Sequence, residues 1–340
     1  MEKILAIVVR YRMPLSQSPA VLGFCDATSS QPDLAESYTI MVWDNSPEPE
    51  ANLQLPISFI YHHSEMNLGV SGAYNGAMRY ALDHGYTWML LLDQDTKITR
   101  EFLSVMRQHS RQLRAKQEIA AIVPTVRFGE IAISPSRRLL GRNRGYPVGE
   151  CGIAPGEAAA INSGCFLRVG ALQAVGGFSV AFWLDFSDLY VFHQFYLYGL
   201  KVWRAADAEV QHDMTTMDYD RLMTPWRCRI RASAETAFND LYCGRLENLI
   251  LSFRILVRVI KHRIKYDNRE FSRIAWDQFL YRLQVRRSER TARWISEGRE
   301  RGGAASAAEV RQLGSEVPSL PVNAGVHDQV LIPRMSSRKS

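Results

Sequence analysis

Trp88-Met89-Leu90-Leu91-Leu92-Asp93-Gln94-Asp95-Thr96 joins an unbroken apolar run to two carboxylates one residue apart. An apolar run of this kind suits a strand buried on both faces, the habit of parallel sheets covered by helices on either side. Ligands of such sheets collect beyond the carboxyl ends of the strands, and Asp93 and Asp95 stand at that end. The backbone turns there, so the two side chains need not diverge as alternate strand residues do. One can approach a ribose or base while the other approaches a divalent metal. Hard oxygen donors with few protein contacts suit Mg2+ or Mn2+ shared with substrate phosphates. Asp-x-Asp-Thr is equally good turn and helix-cap chemistry, so the pair alone does not separate a site from a strand exit.

Outward from this strand the pattern repeats. Ile4 to Val9, Thr39 to Trp43, Ile57 to Tyr61 and Ala121 to Val123 are further short apolar runs. Between them Val70 to Leu82 and Phe102 to Lys116 carry apolar residues at helical spacing. Strands alternating with helices predict an α/β fold with a mostly parallel central sheet flanked by helices. Residues 127–157 are dense in Gly, Pro and Arg and predict a long surface loop, which in an α/β enzyme is more often functional than decorative. Apolar structure resumes at Ala158 to Leu167. A short helix ending at Gly176-Gly177 follows, then an aromatic-rich segment from Phe178 to Tyr198 and two last strands, Val202 to Ala205 and Ala208 to His212.

From Leu246 onward the pattern is helical. Leu249, Phe253, Leu256, Ile260 and Ile264 share one face while Arg254, Arg258, Lys261 and Lys265 share another, which defines a basic amphipathic helix. Such a helix either lies in a membrane interface, drawn by anionic headgroups, or docks its apolar stripe on the rest of the protein and leaves its cations in water. Residues 302–340 are rich in Ala, Ser, Gly and Pro without periodicity and predict a disordered tail.

The 340 residues are 46% apolar and 22% charged, which excludes disordered, collagen-like and coiled-coil proteins. The net charge of +6 invites a nucleic-acid reading, but its distribution argues against one. Residues 1–220 hold 18 Lys and Arg against 23 Asp and Glu, whereas 221–301 hold 19 against 9. The positive charge therefore belongs to the helical extension, which has no zinc-finger or RRM signature. The 5 cysteines, Cys25, Cys151, Cys165, Cys228 and Cys243, show no C-x-x-C spacing and read as reduced packing residues. The N-terminus lacks the apolar core of a signal peptide, and no run of about 18 apolar residues exists to span a bilayer. The expected location is cytoplasmic, with the inner face of the cell membrane as an address if the basic helix binds lipid.

Two more strand ends carry polar groups. Asp44-Asn45 follows Trp43, and Asn67-Leu68-Gly69-Val70-Ser71-Gly72-Ala73-Tyr74-Asn75-Gly76 opens a helix with glycines that let backbone N–H groups approach an anion or sugar ring. Three such ends converging on one crevice suit a nucleotide-bearing substrate. On the acceptor side, Asp188 begins a helical stretch amid Phe182, Trp183, Phe186 and Tyr190, where partial desolvation would raise its basicity. Asp185, three residues earlier, is the competing choice of general base or a partner of Asp188 in binding acceptor, and helix capping is the plain alternative for both.

This ordered set resembles the family 2 glycosyltransferases of the GT-A fold, most closely their rhamnosyltransferase-like branch. The resemblance runs from Ile4 to about His212. It rests on Asp44-Asn45, Asn67-Leu68-Gly69, Asn75-Gly76, Asp93-Gln94-Asp95, Asn162-Ser163-Gly164-Cys165, Gly176-Gly177-Phe178 and Phe182-Trp183-Leu184-Asp185-Phe186-Ser187-Asp188. It implies that Asp44 and Asn45 contact the base, that Asp93 binds ribose, that Asp95 and His212 hold a metal, and that Asn67, Gly69 and Asn75 belong to the nucleotide-sugar site. It also implies an inverting, metal-dependent transfer from a nucleoside diphosphate sugar, dTDP-rhamnose in that branch, to a saccharide or lipid-linked saccharide acceptor in bacterial surface polysaccharide (O-antigen) synthesis. Arg10 stands where the family's first strand turns on an Asn, and Gln194 where it often has Arg.

The expected organisation is a GT-A domain over 1–215, with a nucleotide-sugar half (1–125) and an acceptor half (126–215). A basic helical extension (216–301) and the tail follow. Two alternatives share the pattern: a sugar-phosphate nucleotidyltransferase, which wants more basic residues in the turn after the first strand than Arg10 and Arg12 supply, and a non-catalytic peripheral membrane protein retaining the fold.

Overall fold

The computed structural model describes residues 3–313 except 30, 52–53, 140–141, 147–148, 213–218 and 220–222. In chain order the first half comprises β1 (Ile4–Arg10), α1 (Pro19–Ser29), α2 (Pro32–Ser37), β2 (Tyr38–Asp44), β3 (Phe59–His63), α3 (Gly69–Asp83), β4 (Trp88–Asp93), α4 (Arg100–Gln112) and β5 (Ile119–Phe128). Next come β6 (Ile131–Ser134), β7 (Ser136–Leu139), β8 (Arg142–Gly145), β9 (Gly152–Ile153), β10 (Ala158–Ala159) and β11 (Phe166–Arg168). They are followed by α5 (Val169–Ala174), α6 (Ser187–Leu197) and β12 (Lys201–Gln211). Four helices end the described chain: α7 (Pro225–Tyr242), α8 (Arg245–Lys265), α9 (Glu270–Gln284) and α10 (Arg287–Leu313).

The main sheet has the order β3-β2-β1-β4-β11-β5-β12-β9, with β6 paired to β5. Strands β1 to β4 are mutually parallel, as are β5 and β12, and β11 lies antiparallel between β4 and β5. The expected α/β fold with a mostly parallel sheet is what the chain adopts. Alternation along β1 shows why. Leu5, Ile7 and Val9 enter the core formed with Tyr74 of α3, Leu172 of α5 and Phe192 of α6. Ile4, Ala6 and Val8 enter the opposite core with Phe24, Leu34, Phe102 and Met106 of α1, α2 and α4. Both faces of the sheet are thereby sealed.

Several expectations are corrected. Residues 127–157 hold short strands rather than one irregular loop: β5 and β6 form a hairpin turned at Gly129, and β7, β8 and β10 make a small separate sheet. These strands are brief and partly solvated, so they carry none of the apolar alternation that marks a longer one. The two expected last strands are a single β12 whose register shifts between Ala205 and Glu209, a bulge that a break in hydrophobicity mimics. Helices α1 and α2 fall in a stretch to which the sequence assigned nothing. Helix α10 continues to Leu313, beyond the tail boundary expected at 301; the rest of the expected disordered tail lies outside the described residues.

The extension has its own buried polar centre. Asp240 of α7 receives Arg290 through two contacts of 2.7 Å and Arg282 at 3.5 Å, and Arg282 also donates to Asn248 Oδ1 at 2.9 Å. Two arginines on one buried carboxylate tie α7, α9 and α10 together. Phe182, Phe238 and Trp294 then pack the extension against the α/β part. Of the 5 cysteines, 4 are buried and none is paired, with Cys151 exposed. Among the described residues no helix is long and apolar enough to cross a membrane.

Candidate active site

A cavity of about 690 Å³ opens at the carboxyl ends of β1, β4 and β12, a size ordinary for a small-molecule site. One wall is the strand ends themselves. The segment from Trp183 to Asp188 and the start of α7 form the other.

The strand-end wall is acidic. Asp93, Asp95 and His212 offer ligand atoms that all lie within 4.8 Å of one another. His212 Nε2 is 3.7 Å from Asp93 Oδ2, and its Nδ1 is 3.7 Å from Asp95 Oδ1. The fold sets this up from both sides. Gln94 fixes the turn between the carboxylates: its carbonyl accepts from Ser18 Oγ at 2.7 Å and its side chain from the Tyr11 N–H at 2.8 Å. His212 is placed by the bridge in which Lys97 N–H donates to Gln211 O and by its own N–H donating to Arg127 O. Ser163 donates to Asp93. The donor set fits a small divalent cation. Two carboxylates dominate it, and the buried Nδ1 of His212 has no hydrogen-bond partner among the described residues, an orphan that a cation would relieve.

The two carboxylates expected on the acceptor side, Asp185 and Asp188, also line the cavity but sit in different surroundings. Asp185 is buried and bound to Arg227, with Nε to Oδ2 at 3.0 Å, and to Arg231 at 3.6 Å. Two guanidiniums therefore engage the Asp185 carboxylate at the cavity wall. Asp188 is different. Burial is the chief cause that pushes its carboxyl up to about 6, with Asp185 and Asp93 adding to the rise; the Leu189 N–H, donating at 2.7 Å, and Arg231 oppose it. Between them Phe186 is held left-handed at φ 67°, packed on Phe238 and covered by Arg231. That conformation costs a non-glycine residue about 1–2 kcal/mol, and it turns the chain so that α6 starts beside the cavity.

The residues expected around the nucleotide are only partly brought together. Asn45, Asn67 and Gly69 line the cavity, but Asp44 and Asn75 do not. Asp44 is fully buried and bonded to Arg10, to Tyr61 Oη at 2.6 Å and to the Ser46 N–H at 2.9 Å. Burial alone would raise its carboxyl, yet the hydrogen bonds from Ser46 and Tyr61 and the Arg10 charge hold it below its ordinary value. Asn75 spends both ends of its amide on the Phe178 backbone, at 2.8 Å each. Asn45 likewise donates to Gly69 O at 3.1 Å and accepts from Trp43 Nε1 at 3.2 Å.

Two of these glycines make room for tryptophans of the protein itself. A Cβ on Gly69, which has φ +67°, would meet Trp183 O at 2.2 Å, and one on Gly76 would meet the Trp43 ring at 2.1 Å.

No protein-family model and no curated protein matches the chain. Solved structures do. S. aureus TarS 1-349 is similar at 15% identity over 92% of this chain and 92% of that one, with a TM-score of 0.49. Its complex with UDP gives 13% identity over 95% of each chain and a TM-score of 0.48. The complex with UDP-GlcNAc gives 16% over 82% of this chain and 81% of the other, again at 0.48.

The sequence reading missed the cavity residues supplied by the extension: Met223, Trp226, Arg227 and Arg231. Trp226 meets Trp183 edge to face at 6.1 Å across the opening. An aromatic next to arginines at the first turn of a helix was the available signal, masked by the general basicity of the segment.

Proposed function

We propose that the chain is an inverting glycosyltransferase of the GT-A type that moves a sugar from a nucleoside diphosphate sugar to a saccharide or lipid-linked saccharide acceptor. The observation that carries this reading is that Asp188, a carboxyl pushed up to about 6, lines the same cavity as the Asp93, Asp95 and His212 cluster. Perturbed acids in clefts mark reactive sites.

Asp188 takes the proton from the attacking acceptor hydroxyl. At neutral pH it is ionised yet more basic than an ordinary aspartate, which suits a general base. Asp185 holds Arg227 and Arg231 at the acceptor wall, and the Arg231 charge opposes the rise of the Asp188 carboxyl. Asp93, Asp95 and His212 would hold Mg2+ or Mn2+, which when bound neutralises charge developing on the leaving diphosphate. Attack from the Asp188 side, opposite that cluster, inverts the anomeric carbon. Residues 1–125 form the nucleotide-sugar half and 126–215 the acceptor half, which borrows its last wall from α7. The nucleotidyltransferase alternative loses one of the two cations it would use, because Arg10 is bound to Asp44 and to Glu50 at 3.0 Å.

The test is a thermal-shift panel of nucleoside diphosphate sugars with and without Mn2+, including UDP-GlcNAc and the dTDP-rhamnose that the sequence resemblance implies. Cation-dependent stabilisation by at least one donor is expected. Absence of any cation-dependent shift overturns the reading, and a product of retained anomeric configuration overturns the inverting step.

A further inference from the structure

Helix α8 sits in the fold the opposite way round from most amphipathic helices. Asn248, Leu251, Ile255 and His262 face inward, and Arg258 turns in as well, binding Glu235 of α7 through contacts of 2.6 and 2.9 Å. The stripe left outside is apolar: Leu246, Leu249, Phe253, Val257, Ile260 and Ile264, of which Leu249 is 69% exposed, Phe253 66% and Ile264 81%. It spans about 27 Å of helix. Trp276 and Leu283 of α9 continue the same apolar exposure, and Ile260, Ile264 and Trp276 share a groove of about 490 Å³ with Arg263 and Arg273. Soluble monomers rarely leave such a continuous patch uncovered. The helix cannot roll to hide it, because rolling would pull Arg258 from Glu235 and bury that carboxylate unpaired.

The border of the stripe identifies what covers it. Arg245, Lys261, Arg263, Lys265, Arg269 and Arg273 are all exposed around it, and among the described residues none of them is in an ion pair. We infer that this face of α8 and α9 seats on an anionic phospholipid surface, with Phe253, Ile260, Ile264 and Trp276 entering the acyl boundary and the surrounding cations meeting headgroup phosphates. Apolar area and basic residues on one exposed face are the two components of interfacial binding. A second copy of the chain would bring its own cations against these, and like charges juxtaposed across an interface oppose association. The inference is independent of the reaction proposed above, since neither the cavity nor Asp188 enters it.

The experiment is co-sedimentation of the full chain with phosphatidylcholine vesicles, with or without phosphatidylglycerol. Binding only to the anionic vesicles is expected, and it should be lost in about 1 M salt, where the Debye length falls to about 3 Å. Phe253→Ser with Ile260→Ser should abolish it. Arg263→Gln with Arg273→Gln should weaken it by about fivefold per cation removed. All four side chains are exposed, and unchanged circular dichroism and melting would show that the variants fold. Equal binding to neutral vesicles, or binding that both variants retain, overturns the inference. So does a dimer in sedimentation velocity that the Phe253→Ser, Ile260→Ser variant dissolves while the wild type ignores lipid, because the face would then belong to a second copy.

Discussion

Asp188→Asn is expected to destroy activity and at the same time stabilise the fold, in a way that depends on pH. A carboxyl raised from 3.8 to about 6 binds its proton more tightly in the folded chain than in the unfolded one. Between those values the native state holds more protons, so stability falls as pH rises through the window, and the penalty is complete above it. Two units correspond to about 3 kcal/mol. Asp188 lies at a cavity wall with partial solvent access, and screening reduces the usable part to about 1–2 kcal/mol. Asparagine keeps the acceptor for the Leu189 N–H but carries no charge to desolvate. Urea unfolding in EDTA, which removes any cation that would bias the carboxylate, should therefore show the variant more stable by about 1–2 kcal/mol near pH 7.5. The difference should vanish near pH 4, where the folded wild type is protonated too. Transferase activity should fall by a factor of about 100 or more, the usual worth of a positioned base. A stability difference that is the same at both pH values, or a wild type that is the more stable at neutral pH, would refute the argument that burial raises this group.

Other outcomes follow from the same geometry. Arg231→Met removes a charge that lowers the Asp188 carboxyl, so the acidic limb of the pH–activity profile should move to higher pH; an unmoved limb would detach Arg231 from the base. Asp95→Ala and His212→Ala should each weaken Mn2+ binding, read by isothermal titration, about 10-fold or more, as loss of one ligand or its support does elsewhere. Gly69→Ala places a Cβ 2.2 Å from Trp183 O at φ +67°, which should cost at least 1 kcal/mol or so from the backbone alone and lower the melting temperature. Asp240→Ala leaves Arg282 and Arg290 buried without their carboxylate, and a loss of about 3–5 kcal/mol is expected in urea unfolding.

How much of this was legible beforehand depended on whether a feature was local. The run from Trp88 to Asp95 announced a central parallel strand and its ligand-bearing end, because burial on both faces leaves an unbroken apolar signature. Val70 to Leu82 announced α3 by its 3.6-residue period. The short strands between β5 and β10 announced nothing, since strands of 2 to 4 residues are too brief for alternation to register. Asp44 shows a different failure. Its place at a strand end was read correctly, yet its partners Arg10 and Tyr61 come from neighbouring strands, and no spacing along the chain says that they will occupy it.

The sequence by itself determined the α/β class, the strand ends that carry Asp93, Asp95 and His212, and the concentration of positive charge after residue 221, because each is a matter of local periodicity or composition. Tertiary structure alone decided that Asp185 is tied to two arginines while burial raises the Asp188 carboxyl. It also decided that the first turns of a basic extension wall the cavity and that α8 turns Arg258 inward and its apolar stripe out. A helical pattern fixes which residues share a face. Only the partner on the other side, here Glu235, fixes which face is buried.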